Sequence, residues 1–461
     1  MSTLIHFGTD GWHARRDGDF TEGAVVRAAD AAGTYWAREY PNASVCVGYD
    51  AREGARDYAV LAARVLAAHD LDVVLSDRAL PTPALSWTVA QDEKVCGGLM
   101  VTGAYHPDDY LGIKLRVGNG GTGDSVFIED VENLIDPDPT EKRGDYRDAD
   151  MLSGYLAHMR RLVHVDQIRR ARMSVVLDPM FGPATTCVAE LLESMGVHVA
   201  EIHRAGDDGH EDMRPEPVEP WVDECEQMVA ASSACMGLVL DGDAERLGVV
   251  DENGLFVSAQ KVAALLLGHL VVDRGMSGHV VVSVATSQSV RMVAKSLGCR
   301  VTVRPMGFRS IYESMARGGA LMGTEGAGGV SVPSHMPERD GILAALLLCE
   351  LVAMAKEPVG ELVKALDRAT GSLFYGKRDV RRPLEEVEML GNILPGLNPA
   401  EVAGEAPCDV SHMDGLRLSF EDGSWVLVRP SRTDPVVRVY AEARTPERRD
   451  DLMDAAARLA L

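Results

Sequence analysis

Along most of the chain, short apolar runs alternate with segments whose apolar positions recur every three or four residues. Runs at 44–48, 73–75, 98–101, 174–177, 237–240 and 279–284 read as strands, and 186–195 and 287–297 read as helices. Alternation of this kind predicts parallel sheets covered by helices on both faces. The pattern restarts near 136–150, 251–259 and 371–382, which suggests βα modules in tandem. Beyond that the rhythm changes. Strand-like 415–420 and 425–429 flank the turn Glu421-Asp422-Gly423-Ser424, a hairpin signal, and a further strand at 436–441 precedes an amphipathic helix. The chain is therefore expected to be α/β. Three tandem modules with mixed or parallel sheets are expected at 1–145, 146–255 and 256–371, with a smaller α+β domain at 372–461. A chain of 461 residues is too long for one ordinary core, which agrees with that division.

Hydrophobic residues at 46% and charged residues at 25% fit a soluble globular enzyme. The formal net charge of −24 argues against nucleic acid or an anionic membrane as the main partner, since both would be repelled. Any phosphate site must then be a local basic island. The eight cysteines stand singly with no CxxC pair, so buried thiols in a reducing compartment are expected, not a disulfide frame or a zinc site. The opening MSTLIHFGTD has no charged leader, and the longest apolar runs, 262–267 and 343–348, are too short to span a bilayer. A cytoplasmic enzyme is the expectation.

Four loops at strand ends carry candidate chemistry, and open α/β sheets gather ligands at such ends. Asp241-Gly242-Asp243-Ala244-Glu245-Arg246 offers three carboxylates around a glycine turn, suited to Mg2+, although a solvated acidic turn has the same composition. Its spacing excludes an EF-hand. Arg429-Pro430-Ser431-Arg432-Thr433-Asp434-Pro435 supplies guanidiniums, hydroxyls and backbone N–H groups for a phosphate, or is an ordinary polar turn. Gly323-Thr324-Glu325-Gly326-Ala327-Gly328-Gly329 lets backbone approach a ligand closely, or is a flexible connector. The segment 102–114 places Tyr105, His106 and Lys114 after a strand, where they offer acid–base groups or simple hydrogen bonds.

Taken together with FGTDGW at 7–12, VGYDAR at 47–52, DPMFG at 178–182, RPEP at 214–217, PMGFR at 305–309, HMPERDGILAALLLCE at 335–350 and DGSWVLVRPSRTDPVVRVYAEA at 422–443, these loops resemble the α-D-phosphohexomutases. That family includes phosphoglucomutase, phosphomannomutase and phosphoglucosamine mutase. The resemblance implies four domains around a central cleft. It also implies a phosphoserine that exchanges its phosphoryl group with a sugar phosphate, and Mg2+ bridging three aspartates and that serine. Carried over by position, the metal ligands are Asp241, Asp243 and Glu245, and Lys114 is an acid–base residue. The sugar would meet Arg246, Arg309, Thr324, Glu325 and Ala327, and the phosphate Arg429, Ser431, Arg432, Thr433 and Arg438.

The chain departs from the family pattern where the chemistry is done. The motif T-[AG]-S-H-N-P reads Thr102-Gly103-Ala104-Tyr105-His106-Pro107, so Ala104 stands at the serine position and a methyl group cannot carry phosphate. His13 replaces an arginine, Glu245 an aspartate and Ala327 a serine, and Arg432 is gained. A single deliberate replacement would leave the surroundings intact, whereas divergence predicts several linked changes, as found. The expected function is therefore Mg2+-dependent acid–base chemistry on a phosphorylated sugar, namely elimination, dehydration or epimerisation. Lys114, His106, Tyr105 and His13 would move the protons. The alternatives are a hexose-phosphate mutase whose serine has been replaced, or in which Thr102 substitutes for it; a metal-dependent sugar phosphatase; and a non-catalytic sugar-phosphate sensor. The expected assembly is a monomer or homodimer.

Overall fold

A computed structural model describes residues 4–431 and 435–459. Four sheets follow one another along the chain. In the first, strands lie in the order Trp12–Arg15, Tyr110–Val117, Val95–Val101, Ser44–Tyr49, Asp72–Ser76 and Arg147–Ala149. The last four are parallel, and Tyr110–Val117 runs antiparallel between Val95–Val101 and Trp12–Arg15. The edge strand Arg147–Ala149 pairs here, beyond the boundary expected at residue 145. The second sheet orders Phe256–Val257, Leu247–Val250, Met236–Leu240, Ser174–Asp178 and His198–Glu201, and the third Val301–Arg304, His279–Ser283, Ala320–Thr324 and Val330–Ser331.

The fourth sheet is wholly antiparallel: Phe374–Arg381, Val436–Ala443, Trp425–Pro430, Leu416–Ser419 and Asp409–Ser411. Its hairpin forms at 421–424 as the sequence suggests. The Gly423 N–H donates to the Phe420 carbonyl at 3.0 Å, with Gly423 at φ 84°, and Asp422 accepts from the Ser424 backbone. The α/β architecture expected from the alternating pattern is thus present.

One apolar cluster runs from Cys46 to Leu366 and joins the first three sheets, while the fourth sheet has its own cluster. The helix Gly341–Ala355 explains the joint core. It is buried from Gly341 to Ala353 and is apolar on all sides, as a helix surrounded by others must be. Its one buried charge, Glu350, is paired with His269 and Arg274 at 2.9 and 2.7 Å. A rigid shared core is what holds loops from different sheets against each other. Among the described residues no helix is long and apolar enough to cross a membrane.

Candidate active site

The strand Val95–Val101 is buried throughout and delivers the chain into the 102–107 loop at the sheet's carboxyl end. Ala104 is fully buried at φ 47°. Its N–H donates to Thr102 Oγ1 at 2.9 Å, and the Gly103 N–H donates to Asp50 Oδ2 at 2.9 Å. Arg52 donates to four carbonyls of this turn: Ala104 at 2.8 Å, His106 and Pro107 at 2.6 Å, and Tyr110 at 2.9 Å. A side chain on Gly103 would collide with that guanidinium, which explains the glycine. Asp50 and Arg52 lie within the VGYDAR motif and were not expected as site residues. Their signal was a buried charge pair immediately after a strand. Thr102 is fully buried with its oxygen already accepting a hydrogen bond, so it is poorly placed as a substitute nucleophile.

An aromatic stack lies over the loop. The His106 ring sits 4.6 Å from Tyr105, 4.5 Å from His13 and 5.4 Å from Tyr110, centroid to centroid. Arg246 covers the Tyr105 ring at 4.2 Å and Arg214 approaches it at 5.6 Å. His13 comes from Trp12–Arg15, opposite Gly112, and its Nε2 is buried without a hydrogen-bond partner. His106 Nδ1 lies 3.1 Å from the Gly103 carbonyl. Burial lowers both imidazoles, His106 to about 4, so both are neutral near pH 7.

Behind the stack is a buried ion-pair cluster assembled from three sheets. Lys114 Nζ lies 2.7 Å from Asp243 Oδ2, 2.8 Å from Glu245 Oε2 and 3.2 Å from Asp10 Oδ2. Burial alone would lower Lys114, but Asp10, Asp243 and Glu245 outweigh it and hold the amine above its usual range. Lys114 is therefore a fixed ammonium. The acid–base role expected of it needs ready proton exchange, which this pairing opposes.

Glu245, expected as the third metal carboxylate, is spent on cations instead. Its Oε1 lies 2.5 Å from Arg116, and its Oε2 lies 2.5 Å from Arg339 and 2.8 Å from Lys114. Arg339 also pairs with Asp10 and, at 3.1 Å, with Glu325. Among the described residues no three metal-ligating side chains converge. Two of the expected ligands nevertheless suit a hard cation. Asp243 Oδ2 takes Thr82 Oγ1 at 2.7 Å, but its Oδ1 is buried with no hydrogen-bond partner. Burial, and then the charge of Asp243, push Asp241 well above the usual carboxylate range, a charge surplus that a divalent ion relieves. The two aspartates therefore fit Mg2+, and Glu245 does not. Gly242 lies directly on the Ala104 carbonyl, so the carboxylate loop and the 102–107 loop share one surface.

The glycine-rich loop joins the same cluster. Thr324 Oγ1 donates to the Gly329 carbonyl at 3.0 Å, Glu325 lies 3.6 Å from Arg246, and Arg246 bridges Gly329. Ala327, half-buried in this loop, makes no polar side-chain contact. Arg309 donates to the Gly8 carbonyl at 2.5 Å, tying PMGFR to FGTDGW. The fourth loop connects through Asp414, which accepts from Arg429 at 2.8 Å and from the Met306 N–H at 2.9 Å. Ser431 is buried, its N–H donating to the Val436 carbonyl, and Arg438 sits opposite Arg429 in register. Arg432 and Thr433 lie outside the described residues. Sequence reasoning missed Asp10, Arg116 and Arg339. Asp10 and Arg339 lie inside recognised motifs, while Arg116 showed only as a charge in the strand Tyr110–Val117.

Carboxylate, guanidinium and glycine loops converging at the ends of stacked α/β sheets define a phosphosugar enzyme of the phosphohexomutase type. Sequence profiles of phosphoglucomutase/phosphomannomutase match in all four parts: α/β/α domain I over residues 4–141, domain II over 153–254, domain III over 258–369 and the C-terminal domain over 384–459. The chain belongs to the phosphoglucomutase/phosphomannomutase family. It is 28% identical to a phosphoglucomutase/phosphomannomutase of Thermococcus kodakarensis, with 98% of each chain covered. It is 32% identical to a probable phosphoglucosamine mutase of Methanosarcina barkeri over 82% of each. A crystal structure from Thermus thermophilus, described as a phosphomannomutase, superposes with a TM-score of 0.88 at 29% identity, covering 100% of this chain and 99% of that one. These relatives favour the mutase reading over the acid–base chemistry expected from Ala104 and its neighbours.

Proposed function

We propose that this chain is a hexose-phosphate mutase whose phosphoryl transfer does not pass through residue 104. The observation that carries this reading is the single buried surface on which the 102–107 loop, the Asp241–Asp243 pair and the Glu325–Arg246 pair meet. The ligand is a phosphorylated hexose, with Arg429, Ser431, Arg432, Thr433 and Arg438 gripping its non-reacting phosphate. Glu325 and Arg246 receive the sugar hydroxyls, with Arg309, Thr324 and Ala327 shaping that side of the cleft. Remote phosphate binding orients the reacting end over the 102–107 loop. The four-part division belongs to this reading, one loop coming from each part, with the joints expected at 145 and 255 moved past Ala149 and Val257 because Arg147–Ala149 pairs in the first sheet and Phe256–Val257 in the second.

Asp241 and Asp243 would hold Mg2+, which would neutralise charge on the phosphoryl oxygens. Lys114 and Arg246 supply fixed positive charge at the same end whether or not the ion is present. The experiment is a thermal-shift panel of glucose, mannose and glucosamine 1-phosphates, 6-phosphates and 1,6-bisphosphates, with and without Mg2+, followed by an isomerisation assay on each binder. A ligand selective for the native state raises its melting temperature. Isomerisation primed by a bisphosphate is expected. Binding of none of these compounds would end the substrate assignment. Ala104→Ser should introduce a serine-linked phosphoryl group, seen by mass spectrometry.

A further inference from the structure

A mutase without an oxygen at residue 104 needs another phosphoryl carrier, and the same loop contains one. Resting on the function proposed above, we infer that His106 Nε2 carries the phosphoryl group in this protein. Four observations converge on that atom. The Nδ1 of His106 faces the Gly103 carbonyl at 3.1 Å, an acceptor, so Nδ1 bears the proton and Nε2 keeps the lone pair. The Gly103 carbonyl is held in place because Arg52 fixes the turn through the Ala104 and His106 carbonyls that follow it, and any side chain at Gly103 would meet that guanidinium. Tyr105, His13 and Tyr110 stack on the ring at interplanar angles of 22°, 25° and 19°, which clamps its plane and leaves its edge as the reactive part. The Thr102 hydroxyl of the loop is engaged elsewhere, its Oγ1 accepting from the Ala104 N–H.

The surroundings suit the chemistry. Neutral imidazole is the nucleophilic form, and burial keeps His106 neutral. The positive charges of Arg52 and Arg214 act on this ring, and they would attract the doubly negative phosphoryl group that arrives. In the priming step the Nε2 lone pair of His106 forms an N–P bond to one phosphorus of a hexose 1,6-bisphosphate. The P–O bond to the sugar breaks, and the sugar oxygen leaves with the bonding electrons and takes a proton from water. The Nδ1 proton remains, and the resulting imidazolium points it at the Gly103 carbonyl. In the return step a sugar hydroxyl oxygen attacks the same phosphorus, gives its proton to water, and the N–P electrons go back to Nε2. No other reactant is required.

The test incubates the full-length protein with glucose 1,6-bisphosphate or mannose 1,6-bisphosphate carrying radioactive phosphorus. Melting temperature is recorded in parallel to report binding. The expected result is label on the protein that survives alkali and is lost in mild acid, the signature of a phosphoramidate. It should map to His106 by mass spectrometry at neutral pH, fall to background in His106→Gln and persist in His198→Gln, an exposed histidine on the edge of the second sheet. Because the unsubstituted chain is itself mapped, a poorly folded variant does not remove the test. A bisphosphate that raises the melting temperature while leaving the protein unlabelled would overturn the carrier and spare the substrate assignment. Acid-stable label, or label on another residue, would overturn it too. If neither bisphosphate stabilises or labels the protein, the carrier falls, and the substrate assignment falls with it only when the whole panel above fails to bind.

Discussion

At the scale of single residues, one methylene changes what the carboxylate loop does. Glu245 is longer than the aspartate of the family pattern, and the extra reach takes its oxygens to Arg116, Arg339 and Lys114. A buried carboxylate in contact with three cations is a structural keystone, because removing one partner leaves the others charged and unpaired. Burial, countered by Arg339 and Lys114, leaves it at about 7. Glu245→Asp should draw the carboxylate back toward Asp241 and Asp243 and restore a third metal ligand. We expect Mg2+ to bind about tenfold more tightly in calorimetry, equivalent to roughly 1.4 kcal/mol, while the melting temperature without Mg2+ falls. Unchanged Mg2+ affinity with unchanged stability would show that the length of residue 245 is irrelevant.

At the scale of elements, the strand Ser174–Asp178 ends in a carboxylate that holds the following turn. His203 lies 2.9 Å from Asp178 and 2.9 Å from Glu224, bridging the turn after His198–Glu201 to the helix Asp223–Ala230. Burial opposes its charge, but the hydrogen bond to Asp178, and then that to Glu224, raise it to about 9. Asp178 is itself held above its usual value by burial, so the change between neutral and alkaline pH belongs to the imidazole. A histidine raised in the folded state binds its proton more tightly there than when unfolded. Its stabilisation is complete below about pH 6.5 and disappears as pH rises through about 9. Denaturant titrations should lose on the order of 2 kcal/mol across that window, and His203→Gln should remove most of the slope. A slope that survives the substitution would assign it to other groups.

Across the whole molecule, loops from all four sheets must meet for the proposed chemistry, and Asp414 is one of the contacts that bring in the last, beside the Gln288–Glu442 hydrogen bond. It holds Arg429 on one side and the Met306 N–H of the PMGFR loop on the other. Asp414→Asn keeps the size but discards the ion pair with Arg429. The phosphate grip should loosen by about five- to tenfold in KM for a hexose phosphate, with little change in kcat at saturation. A drop in kcat with KM unchanged would instead place Asp414 among the groups that act on the transition state.

Much of this protein was written in its local sequence. Alternating runs gave the strands, Glu421-Asp422-Gly423-Ser424 gave the hairpin, and the absence of an oxygen at Ala104 is a fact of composition that no packing can alter. Local pattern suffices there because a strand, a turn or a missing atom is decided by neighbours in the chain. The roles of Glu245 and Lys114 were not legible in that way. Lys114 meets Asp243 and Glu245 across 129 and 131 residues of sequence, and Arg339 meets Asp10 across 329. Whether a carboxylate serves a metal or an arginine depends on which charges the shared core brings within a few ångströms. A lysine is a proton carrier or a fixed cation for the same reason. Only the tertiary structure could decide it, since Coulomb energy depends on distance in space and on burial, not on position in the chain.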